Sequence, residues 1–238
     1  MGNARTAGRA LATLTALALL TGCVPGLVPE RDRPPADPVS HGQLSAEQLG
    51  AVLPTEEQLP EGFSIEEGAE GQDSDAGPDP EATAYPATCL DVRLGGTSGT
   101  DLASHKVAGA TRSFVGDEGG TLSVKVSTHD LPVPGKLFDD AGAAQSQCGT
   151  FQLIDNGGVT TWKLARVAFP QLGDRTYATR VESTTEGDIF KGGVVQLAAV
   201  SLGHNLVYIV YSAGPASRYD PTAVETFAQA TVDNLAAL

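Results

Sequence analysis

Gly192–Ser212, GGVVQLAAVSLGHNLVYIVYS, decides the fold. Two apolar runs, Gly192–Ser201 and Leu206–Ser212, flank Gly203-His204-Asn205, a turn signal between β-rich segments. Two such runs joined by so short a link predict an antiparallel hairpin. The run Leu206–Tyr211 has no polar interruption, so it predicts a central strand covered on both faces.

Working outward, the same logic yields more hairpins. Thr176–Thr184 reads as the preceding strand. Before it, Phe151–Asp155 and Val159–Val167 flank the turn Asn156-Gly157-Gly158. Leu122, Val124 and Val126 alternate with Ser123, Lys125 and Ser127, the period of a half-buried strand. Residues 104–115 are its expected partner across Gly116–Gly120. Helices fit three segments. In 44–53, Ser45 caps, Gln48 sits three residues on as in a capping box, Leu44 and Leu49 can form a staple, and Pro54 stops the helix. Residues 136–148 deliver Cys148 at a helix end, with Gly149 as the stop. After Asp220 as cap and Pro221 in the first turn, Val224, Phe227, Ala228, Thr231 and Leu235 share one face. Cys89 falls on a brief helix or turn. The expected fold is α+β: an antiparallel sheet of about six or seven strands with helices packed on it, including a C-terminal helix.

The N-terminus reads differently. Arg5 and Arg9 precede the apolar run Ala10–Leu20, which is shorter than the roughly twenty residues a membrane-spanning helix needs. It reads as a secretory signal. Leu20-Thr21-Gly22-Cys23 looks like a bacterial lipobox, which implies a signal peptide over 1–22 and a diacylglyceryl lipid with chains such as palmitate on Cys23. Two acyl chains, at about 0.8 kcal/mol per buried CH₂, anchor stably where one is marginal. Residues 23–43 hold five prolines and read as a tether; extended at about 3.1 Å per residue it would reach roughly 60 Å. Residues 44–238 are expected to form one domain, with an acidic disordered insert near 66–84.

Charge follows this division. The chain has 15 basic and 29 acidic side chains, a net −14. Residues 24–84 hold 14 acids and 2 bases, whereas residues 85–238 hold 15 and 11. The acidity belongs mostly to the tether and insert, and the net negative charge argues against nucleic acid as a partner. With Cys23 assigned to lipid, Cys89 and Cys148 remain, and an even remainder in an exported chain predicts a disulfide.

No motif marks a catalytic centre, and no cofactor is expected. Asp73-Ser74-Asp75 has the spacing of a calcium loop, but Gly77 and Ala84 stand where ligands are required, so a solvated linker is the reading. Gly95-Gly96-Thr97-Ser98-Gly99-Thr100 resembles a phosphate cradle without its lysine and reads as a flexible loop. There is no G-x-S-x-G elbow. His41, His105, His129 and His204 are scattered without metal-ligand spacing, and His204, in a turn, is expected to be exposed. Trp162 is in phase with Leu164 and reads as core, with the lining of a pocket as the alternative. Arg175, Tyr177 and Arg180 form a small polar group, with Arg180 on the solvated face.

Several short motifs together carry a resemblance. They are the opening helix followed by Leu59-Pro60-Glu61-Gly62-Phe63, the Cys89 and Cys148 pair around a hairpin, and Leu172–Arg180 leading into a strand. Gly203-His204-Asn205-Leu206-Val207-Tyr208 and the closing helix complete the set. In these features the chain is similar to actinobacterial envelope lipoproteins with a PknH-type extracellular sensor domain. The Mog1/PsbP-like group of mycobacterial lipoproteins has a similar layout. The resemblance implies a sheet with a cleft for an extracellular ligand. The second disulfide usual in that family has no cysteines here.

The expected function is thus a non-catalytic binding or sensor-like module. It would be held on the extracytoplasmic face of the cell membrane by the Cys23 lipid and take a small-molecule ligand or an envelope protein. A protein-interaction partner of an envelope enzyme or receptor is the alternative. A hydrolase with an unrecognised site ranks last.

Overall fold

Val194–Leu202 and Asn205–Ala213 pair antiparallel at nine positions about Gly203-His204. Gly203 takes φ 56°, the left-handed region that a type II′ turn asks of its first residue. The structure, a computed structural model, describes residues 42–67, 71–72, 81–155 and 158–238. Cys23, the 1–22 signal, the tether up to residue 41, the Asp73–Asp79 stretch and Asn156-Gly157 lie outside the described residues.

In chain order the elements are α1 (Ala46–Ala51), β1 (Phe63–Ile65), β2 (Gly71–Gln72), β3 (Thr83–Tyr85) and α2 (Thr97–Ser104). Next come β4 (Lys106–Gly116), β5 (Thr121–His129), α3 (Gly135–Gln147), β6 (Thr150–Asp155) and β7 (Gly158–Arg166). Then follow β8 (Arg175–Ser183), β9 (Val194–Leu202), β10 (Asn205–Ala213) and α4 (Ala223–Ala236). The strands form one antiparallel sheet in the order β1-β4-β5-β10-β9-β8-β7-β6-β3, with β2 also on β4. Seven long strands, β4 to β10, match the expected six or seven. The additions are three short edge pieces, β1 to β3, and the first two residues of β3 and all of β2 fall in the stretch that reads as an acidic insert.

One face is closed by α4 and α1. The Phe227 ring centroid lies 4.6 Å from that of Phe114 and 5.4 Å from that of Phe63, over Val124, Val207 and Ile209. Fully burying such side chains is worth roughly 2–3 kcal/mol each. Ser45 Oγ accepts the Gln48 N–H at 3.2 Å and Gln48 Oε1 accepts the Ser45 N–H at 2.9 Å, the reciprocal cap expected of α1. Asp220 acts two residues ahead of the cap position: its carboxylate accepts the Thr222 N–H and hydroxyl at 2.8 and 2.7 Å, and α4 begins at Ala223.

The opposite face is covered only in part. Leu137, Phe138 and Ala141 of α3 pack on Tyr177, Leu197 and Ala199. Beside α3 runs a 3₁₀ segment, Ala87–Arg93, bonded to the end of α3 through the Cys89–Cys148 disulfide. The Gly-rich stretch is no flexible loop, because α2 starts within it. Leu102 and Ser98 are buried, and the Ser98 hydroxyl donates to Asp140 of α3. Gly99 is required there, since a Cβ would stand 1.8 Å from the Leu94 carbonyl oxygen. β9 is the strand buried on both faces; β10 lies between β5 and β9, but its second face is half-open.

Candidate functional site

The half-open face of β10 presents Leu206, Tyr208, Val210 and Ser212. Tyr208 is flanked by two cavities. The smaller, about 100 Å³, lies among Leu94, Leu102, Leu137 and Leu206, with Lys125 and His129 at its border. The larger, about 250 Å³, spans β6 to β10. Phe151 and Leu153 line it from β6, Trp162 from β7, Thr179 and Val181 from β8, Val195 and Leu197 from β9, and Val210 from β10. Val92 and Arg93 of the 3₁₀ segment form its outer wall.

Two phenols pin that wall. The Tyr177 hydroxyl donates to the Val92 carbonyl at 3.0 Å, and the Tyr208 hydroxyl donates to the Arg93 carbonyl at 3.2 Å. Burial pushes both phenols up, Tyr208 to about 12, so they stay protonated donors around neutral pH. The Tyr208 ring stands between the cavities and belongs to the lining of each.

The larger cavity holds an unspent polar group. Thr179 Oγ1 stands by the Tyr177 phenol, and Trp162 Nε1 is buried without a hydrogen-bond partner. A buried polar atom left so costs about 1–3 kcal/mol, and such atoms point to a missing partner. Arg93 is half-buried and makes no ion pair among the described residues. Asp155, the one acid in the lining, has interactions of its own.

The residues singled out in the sequence divide. Trp162 is half-buried and lines the cavity, with its ring edge-on to Phe190 at 6.2 Å, so it is less enclosed than core. Arg175, Tyr177 and Arg180 do not form one group. Arg175 pairs with Asp139 at 3.3 Å, and Tyr177 is buried under the 3₁₀ segment. Arg180, on the other face, pairs with Glu182 at 3.3 Å and lies 5.2 Å over the Tyr219 ring, so it is not simply solvated. His204 is half-buried rather than exposed: its Nδ1 lies 2.9 Å from the His129 carbonyl, and His129 Nδ1 lies 3.2 Å from that of His204. His105 Nδ1 meets Asp130 at 2.8 Å near the same end of the sheet. Among the described residues no group of three or more His, Cys, Asp or Glu is placed to hold a metal. Arg93, Thr179 and Tyr208 escaped sequence reading because they come from three elements far apart in the chain.

A wider polar cavity of about 570 Å³ lies around the β4–β5 turn, where Glu61, Asp117, Glu118 and Asp220 meet Phe63, Tyr211 and Tyr219. Arg218 pairs there with Glu118 at 3.5 Å.

No protein-family model matches the chain, and no curated protein matches it in sequence. Solved structures do. The extracellular domain of PknH from Mycobacterium tuberculosis matches with a TM-score of 0.58 at 13% identity, over 83% of this chain and 100% of that one. An Rv0999 ortholog from Mycobacterium smegmatis matches with a TM-score of 0.47 at 14% identity, over 82% and 98%. The chain therefore has the fold of the PknH extracellular domain, the fold that the sequence resemblance implied.

Proposed function

We propose that the protein is a non-catalytic binding or sensor-like module, held on the extracytoplasmic face of the membrane by a lipid on Cys23, with its ligand taken by the Trp162 cavity. The observation that carries this reading is the cavity itself, an apolar hollow whose wall holds a buried indole N–H without a partner. The lipobox supports the anchor. Among the described residues no helix is long and apolar enough to cross a membrane. A thermal-shift screen of the purified protein against envelope metabolites tests the reading. At least one class of compound should raise the melting temperature, and Val210→Trp, which fills the hollow from its half-open side, should abolish that rise. No rise with any compound, or equal rises in both proteins, would overturn it.

One observation favours a second reading, a protein-interaction partner. Ile154 and Val159 oppose each other across β6 and β7, with Tyr85 on neighbouring β3, and all three are exposed on the same face. Crosslinking in cells separates the two. A stoichiometric protein partner lost on Ile154→Asp supports this reading, and a bound small molecule supports the first.

A further inference from the structure

The Trp162 cavity holds a donor that lacks an acceptor. An indole N–H only donates, and Trp162 Nε1 has no acceptor within reach. Thr179 is 2% exposed, and its hydroxyl stands by the Tyr177 phenol. Arg93 brings a positive charge to the wall, and no described carboxylate pairs with it. Asp155, the one acid in the wall, has interactions of its own. The remaining wall, chiefly Phe151, Leu153, Val195 and Leu197, offers only apolar contact. At about 250 Å³ the hollow falls just below the roughly 300 Å³ at the lower end of small-molecule sites.

We infer that the cavity takes a small apolar monocarboxylate. This rests on the binding reading above and names its ligand class. The apolar body lies against the β6 and β9 side chains. The carboxylate accepts from Trp162 Nε1, and Arg93 balances the charge. A single cation in the wall matches a monoanion better than a phosphomonoester, whose second charge would be left unanswered.

Trp162 is the chain's only tryptophan, so its emission reports on this cavity without a label. The probes are octanoate and 3-phenylpropanoate, each beside its alcohol, 1-octanol and 3-phenylpropanol. At least one acid should change the emission saturably and bind about ten times more tightly than its alcohol, the scale of a charge-assisted contact. The acid that binds identifies the body as a chain or a ring. Arg93→Gln should weaken the acid about tenfold and leave the alcohol unchanged, and Arg93→Lys should restore part of the loss. Equal binding of acid and alcohol, or an acid indifferent to Arg93→Gln in a cooperatively melting protein, overturns the carboxylate and leaves the cavity as a binding site. No saturable change with either acid also overturns it, and the metabolite screen then decides the wider reading.

Discussion

His129, 2% exposed at the end of β5, links one proton to the fold. Burial holds its imidazole below the ordinary 6.5; Lys106 and His105 push the same way, while the His204 carbonyl and Asp130 oppose them. The unfolded chain therefore binds a proton at a higher pH than the folded one does. Stability is full above 6.5 and is lost as pH falls from there toward the lower folded value. Calorimetry between roughly pH 7 and 5.5 should show the melting temperature falling with pH, and His129→Gln should flatten that slope. A slope unchanged in the variant would remove His129 from the account. Nothing in Ser-Thr-His-Asp announces this; the burial comes from the β9–β10 turn laid across it, 75 residues along the chain.

Among the elements, the 3₁₀ segment Ala87–Arg93 is the weakest taken alone, since short 3₁₀ runs have poor hydrogen-bond geometry. It is held by the buried Val92, the two phenols and the disulfide to α3. The disulfide closes a separation of 59 residues, for which loop entropy gives a stabilisation of about 4 kcal/mol. Urea denaturation of the Cys89→Ser, Cys148→Ser double variant should show a loss approaching that value. Trp162 emission should shift to the red as the outer wall of its cavity loosens. Unchanged stability would mean that the phenols and Val92 hold the wall without help. The long strands were legible because alternation or unbroken apolar runs end at Gly and Asn turns. α2 was not: Gly95, Gly96 and Gly99 look like a loop, and the helix forms only because Leu102 and Ser98 find α3. β2 and β3, of two and three residues, are too short to show a period. The cavity was legible only at Trp162, since its other walls are brought together by strand order rather than by any local spacing.

At the scale of the whole molecule, the negative charge gathers ahead of Tyr85. Residues 24–84 carry a net −12, against −4 for residues 85–238. Radiolabelled fatty acid should enter the wild-type protein in cells and fail to enter Cys23→Ala. Equal labelling would dispose of the lipid anchor. The sheet order carries a further consequence. β10 is the last strand in the chain, yet it lies between β5 and β9 and pairs with β5 from Asn205–Thr128 to Ser212–Thr121. The sheet therefore cannot close in order of synthesis. The β4–β5 hairpin and the strands from β6 to β9 each wait with a bare edge until residues 205–213 arrive, and such non-local pairing folds slowly. A nascent or clipped chain without its last strand and helix shows two open edges and an uncovered apolar floor, the surfaces on which chains aggregate and proteases act. Only a chain made through β10 and α4 can hide them, so the topology itself separates chains that have reached that point from those that have not.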